Sequence, residues 1–144
     1  RLHSENNLYR LVPPNLLVVH MRLGDVMERQ VKKHGFRLYS NFYKRVKIKR
    51  FPITNVTIVT ALHFGHNEMS SKFYYSTKAV NRSWKVIRDF EEQTHKEGLK
   101  LELFSNKNVD EDICFMASSG FFVKSRSDIS TLAASCLRKG SKVW

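Results

Sequence analysis

The sequence predicts an α/β fold, a parallel β-sheet with helices on both faces, and three observations predict it. Short apolar or β-branched runs alternate with segments of helical periodicity along the whole chain. The first run, Leu16-Leu17-Val18-Val19, is apolar at every position, as a strand buried on both faces requires. The connections are short, which favours right-handed crossovers between neighbouring parallel strands.

Each element follows from its residues. After the first strand and a polar loop, Tyr39 to about Ile48 reads as a basic amphipathic helix, with Pro52 beyond its end. Val56-Thr57-Ile58-Val59-Thr60 is β-branched throughout and forms the second strand. A loop follows through His63-Phe64-Gly65-His66-Asn67. From Ser83 to about Lys96, Trp84, Ile87, Phe90 and Glu91 recur at helical spacing, and Gly98 stops the helix. Leu99 to Phe104 alternates as a third strand. Asp110 to about Ser118 is a short helix whose leading Asp110, Glu111 and Asp112 suit the positive amino end. Gly120 to Lys124 is a fourth strand, Ser130 to Leu137 a last helix ended by Gly140, and Lys142-Val143 begins a further strand. There is no repeat, low-complexity segment or linker, so residues 1–144 are expected to form a single Rossmann-like domain.

Composition narrows the partners. Lys and Arg number 25 against 13 Asp and Glu, a formal charge of +12, which favours nucleic acid, a membrane surface or a phosphorylated small molecule. Lys32, Lys33, Arg37, Lys44, Arg45, Lys47, Lys49 and Arg50 make a dense basic stretch interleaved with Tyr39, Phe42 and Tyr43. Aromatics among cations can line a single-strand groove. Here Phe42, Tyr43 and Val46 fall at helical spacing instead, so they are expected to face a core while the charges are solvated, and no nucleic-acid partner is expected. No run approaches the roughly 20 apolar residues that span a bilayer. The chain does not start with Met and reads as a fragment, with room for a membrane anchor upstream.

Cys114 and Cys136 have neither metal-site nor redox spacing and are expected to be buried thiols. Met27 and Met116 are expected to pack. Asn55-Val56-Thr57 and Asn81-Arg82-Ser83 match the N-glycosylation tripeptide. His63 and His66 supply two ligands in one loop without a third, so no metal is expected. Glycine-rich dinucleotide turns, Walker-type loops and hydrolase elbows are absent from the sequence.

Chemistry concentrates at two strand ends. In His20-Met21-Arg22-Leu23-Gly24-Asp25 an imidazole, a guanidinium and a carboxylate meet where the first strand gives way to a glycine turn. Open α/β sheets bind ligands at the carboxyl ends of their strands, and a forked, always-charged Arg there suits a phosphate. The plainer reading is a surface Arg-Asp pair. After the fourth strand comes Ser125-Arg126-Ser127-Asp128-Ile129-Ser130, leading into a helix with Ala133 and Ala134. Hydroxyls there either cap the helix or share its free N–H groups with a phosphate. In a parallel sheet both clusters lie on one rim and are expected to face a common crevice.

The pattern His20-x-Arg22-x-Gly24-Asp25, then Asp112-Ile113-Cys114-Phe115-Met116, then Ser127-Asp128-Ile129-Ser130-Thr131-Leu132-Ala133-Ala134 resembles the donor-binding half of GT-B fucosyltransferases, the α1,2-, α1,6- and protein O-fucosyltransferase-like group. Order and spacing agree from about Leu16 to Trp144. The resemblance implies one half of a two-domain glycosyltransferase that moves fucose from GDP-fucose, or a sugar from a related donor, to an acceptor hydroxyl with inversion. It implies Arg22 on the β-phosphate, His20 and Gly24 near the nucleotide, Asp112 accepting from the guanine edge, and Ser127, Asp128 and Ser130 in the phosphate-side turn. No metal cofactor is implied. The further partners are a glycan or protein acceptor and an N-terminal acceptor domain outside this chain. Location is then Golgi or endoplasmic reticulum, or cytoplasm for a bacterial-type enzyme.

Departures from the family pattern matter. Leu23 stands where many members carry a second Arg, although the protein O-fucosyltransferases manage with one; Arg126 is placed to compensate. Around Thr60-Ala61-Leu62-His63 the acidic residues of some members are missing. For the base that takes the acceptor proton, Asp25 and Glu28 are nearest in sequence, and Glu28 is the freer because Asp25 is placed to orient Arg22. The alternative is a catalytically inactive domain of this fold that binds an anionic polymer through its basic face.

Overall fold

Alternate residues of β1 (Leu16–His20) face opposite sides of a sheet, and both sides are apolar. Leu17 and Val19 join one buried cluster with Val56, Ile58, Ala79, Val86, Ile87 and Phe90. Leu16 and Val18 join another with Val59, Met116, Phe122 and Ala133. A strand between two cores has no polar face, which is why its sequence is an unbroken apolar run. The protein is described by a computed structural model covering residues 12–24, 26–29, 52–60, 77–105 and 108–143, with residues 28 and 29 as backbone alone.

Strands β2 (Asn55–Thr60), β3 (Lys100–Ser105), β4 (Phe121–Val123) and β5 (Lys142–Val143) complete a five-stranded, all-parallel sheet in the order β3-β2-β1-β4-β5. Helices α1 (Val26–Arg29) and α2 (Thr77–Lys96) cover one face through Met27 and the α2 stripe, and α3 (Val109–Ala117) and α4 (Asp128–Ser135) cover the other through Met116 and Ala133. The α/β, Rossmann-like architecture expected from the sequence is therefore the observed one. Full burial of Phe90 and Phe122 contributes roughly 2–3 kcal/mol each before conformational entropy is set against it.

Local chemistry explains where the helices start and stop. The buried face of α2 is Ala79, Ser83, Val86, Ile87, Phe90 and Thr94, a stripe at three- and four-residue spacing. That stripe begins six residues before the expected start at Ser83. Its phase also turns Trp84, 40% exposed, and Glu91 outward, correcting the expectation that they belong to the apolar repeat. Leu99 N–H donates to Thr94 O and Gly98 N–H to His95 O, with Gly98 at φ +76°. This paired closure needs a residue in the left-handed region, which glycine adopts without strain. Asn108 caps α3 by accepting from Asp110 N–H at 2.8 Å.

Some boundaries shift. The tetrapeptide helix α1 occupies what the sequence suggested was loop. The last helix starts at Asp128 and ends at Ser135, two residues earlier at each end than expected, and Cys136 rather than Gly140 closes it. Cys136 is exposed and Cys114 only half-buried, so neither is the buried thiol expected: Cys136 sits at the helix end, past its apolar face. Met27 and Met116 are buried as expected. Both glycosylation tripeptides fall in regular structure, Asn55 on β2 and Asn81 in α2 with Ser83 fully buried. That disfavours their use, because acceptor sites are surface loops. No helix among the described residues is long and apolar enough to cross a membrane. The expected helix at Tyr39–Ile48, the basic stretch from Lys32 and the His63–His66 loop lie outside the described residues.

Candidate functional site

The order of the strands creates one distinctive edge. From β1 the chain adds β2 and β3 on one side, then returns to place β4 and β5 on the other. The carboxyl ends of β1 and β4 therefore flank the point where the winding reverses, the position where doubly wound sheets bind ligands. Pairing of β1 with β4 stops at Val19↔Val123, whereas pairing with β2 runs on to His20↔Val59. Past Val123 the two polar clusters meet.

His20 is the last residue of β1 and only 7% exposed. By alternation it shares the face of Leu16 and Val18, the face that α3 and α4 cover. Its Nδ1 lies 2.7 Å from Ser125 Oγ and 3.4 Å from Ser127 Oγ. Ser125 Oγ in turn lies 3.1 Å from Ser127 Oγ. Burial, and secondarily the charge of Arg22, lowers the imidazole pKa from 6.5 to about 4, so the ring is neutral at pH 7.

The serine turn is built to a plan. Ser127 caps α4 and accepts from Ser130 N–H at 3.2 Å. Ser130, fully buried, accepts from Ser125 N–H at 2.9 Å. Thr131 N–H donates to Ser127 O. Ser130 thus holds the loop against the helix from within, while Ser127 stands at the helix amino end beside His20. Arg126 and Asp128 flank it and are exposed.

Arg22 is half-buried, with Nη1 3.4 Å from Leu23 O. Leu23 is fully buried in the α1/α2 core, which accounts for an apolar residue where a second Arg would stand. The turn after Arg22 is pinned: Gly24, at φ +79°, donates its N–H to Ser83 Oγ at 3.1 Å. Gly24 therefore serves through backbone shape, its amide being committed. Arg82 Nη1 donates to Met27 O at 3.0 Å and ties α1 to α2. Asp112 lies in the first turn of α3, half-buried, at the carboxyl edge of β3. Asp25 and the side chain of Glu28 lie outside the described residues.

Two participants escaped the site expected from sequence. Ser125, the first polar residue past the β4 core that meets His20, was read only as part of a cluster. Ser83 was read as a helix start. A serine at a core position of an amphipathic stripe is the signal that marks it, because a buried hydroxyl requires a partner. No group of three or more His, Cys, Asp or Glu among the described residues is arranged to hold a metal ion. The chain matches no protein-family model, no curated protein and no solved structure.

Proposed function

We propose that this chain is the donor-binding half of a fucosyltransferase-like glycosyltransferase, taking GDP-fucose or a close relative as donor. The observation that carries the reading is the contact between His20 Nδ1 and Ser125 Oγ at 2.7 Å. It joins the Arg22 cluster and the serine turn, 105 residues apart, at the reversal point of the sheet. The amino end of α4 favours an anion through its N–H groups and dipole, and Arg22 adds a full positive charge two residues from His20. Asp112, at the edge of β3, is two strands from β1, about 10 Å across the sheet. That separation suits a nucleoside whose diphosphate lies at β1 and β4 and whose base reaches α3. A carboxylate there accepts from two guanine N–H groups.

In this reading the acceptor oxygen attacks the anomeric carbon as the bond to the diphosphate breaks. The electron pair goes to the β-phosphate oxygen, where Arg22 and the α4 terminus stabilise it. Asp25 or Glu28 takes the acceptor proton, and the partner domain brings the glycan or protein acceptor. The enzyme would work in the Golgi or endoplasmic reticulum, held by an anchor outside these residues, or in the cytoplasm.

The test is calorimetry with GDP, GDP-fucose, UDP and single-stranded RNA. Guanine-selective binding that Arg22→Ala abolishes is the expected result. Indifference to GDP together with salt-sensitive RNA binding overturns it in favour of a domain that uses its +12 charge on an anionic polymer.

A further inference from the structure

We propose that His20 is a positioning residue whose ring proton sets the direction of a serine hydroxyl chain, and so decides whether Ser127 offers a diphosphate a hydrogen or a lone pair. This rests on the diphosphate reading above. The geometry is a short relay: His20 Nδ1 to Ser125 Oγ at 2.7 Å, Ser125 Oγ to Ser127 Oγ at 3.1 Å, then the amino end of α4. Each hydroxyl has one proton to give, so the relay has two orderings. With Nδ1 bare, Ser125 donates inward to the ring and Ser127 donates inward to Ser125. The outer face of the turn then presents oxygen lone pairs, which repel an anion. With the proton on Nδ1, the ring donates to Ser125, Ser125 donates to Ser127, and the Ser127 proton is released toward the rim.

Ser127 Oγ already accepts from Ser130 N–H, so the outward ordering leaves its acceptor side satisfied and its proton for a ligand. The change needs no net charge. Burial of His20 and the nearby Arg22 disfavour the imidazolium, and Lys124 and Arg126 on the following loop add positive charge on the same side of the sequence. The proton therefore moves between the two ring nitrogens of a neutral imidazole, a tautomer exchange that the anion selects. Such a chain is cooperative, because each bond polarises the next.

The test follows the ring directly. In the full chain labelled with 15N at histidine, the two ring nitrogens are read by NMR at pH 7, free and with GDP or inorganic pyrophosphate, and His20→Asn identifies the His20 signals. Nδ1 is expected to be bare in the free protein and protonated with either anion. Ser125→Ala, which cuts the relay, is expected to abolish that response. An Asn amide places an N–H donor at the Nδ1 position, so His20→Asn should bind GDP within about threefold of wild type, while His20→Ala loses about tenfold. If both anions bind and Nδ1 stays bare, or if the Asn variant binds as weakly as the Ala variant, the relay is overturned and the diphosphate reading stands. If neither GDP nor pyrophosphate binds the wild-type chain, both fall.

Discussion

Gly24 N–H donates to Ser83 Oγ at 3.1 Å, and the same hydroxyl donates to Ala79 O at 2.9 Å. One small side chain on α2 thus holds the turn that follows Arg22 against the sheet. Ser83→Ala leaves a buried amide without an acceptor and is expected to cost about 1–3 kcal/mol. Gly24→Ala forces a Cβ into the left-handed region at φ +79°, at about 1–2 kcal/mol. Urea denaturation reads both, and unchanged midpoints would show that the turn is held by other contacts.

His20 predicts how stability depends on pH. Its folded pKa, about 4, lies below the unfolded value of 6.5. Between those values the unfolded chain binds a proton that the folded chain does not, so stability rises with pH. The contribution is complete above about pH 6.5 and is lost as pH falls toward 4, roughly 3 kcal/mol across the window. His20→Asn should flatten this part of the curve. Parallel slopes for the variant and wild type would mean that another group governs it.

Thr57 and Thr60 are buried on β2, and neither Oγ1 has a hydrogen-bond partner among the described residues. Replacing a buried hydroxyl that bonds nothing by a methyl removes a desolvation cost. Thr57→Val is therefore expected to stabilise by about 1 kcal/mol, seen as a higher thermal midpoint. A lower midpoint would reveal a partner for the hydroxyl.

Ser127 has two roles that one substitution pair separates. Ser127→Ala removes the α4 cap at about 1 kcal/mol and removes the hydroxyl offered to the diphosphate. Ser127→Asp restores the cap but sets a negative charge at the rim. GDP affinity should fall in both, and further in the Asp variant, while stability recovers only in the Asp variant. Equal affinity in all three chains would remove Ser127 from the site.

Local pattern made most of the fold legible. The β-branched run of β2, the Gly98 closure of α2 and the acidic first turn of α3 each depend on neighbours within a few residues, and each sits where expected within a residue or two. The start of α2 was harder to see. Trp84 looked like a core residue by size, yet Ala79 and Ser83 carry the buried stripe, because close packing near the Gly24 turn admits only small side chains. Cys136 likewise looked buried by type, and its place at the end of α4 exposes it.

By itself the sequence determined the α/β class, the strands, and the two polar clusters at strand ends, since hydrophobic period and turn chemistry are short-range properties. Only the tertiary structure decided which strand ends are neighbours. Placing β4 beside β1 brings Ser125 to His20 and makes their edge the reversal point of the sheet, and Gly24 meets Ser83 across 59 residues. Those contacts come from burying two apolar faces of one sheet at once, a long-range condition that no local run of residues encodes.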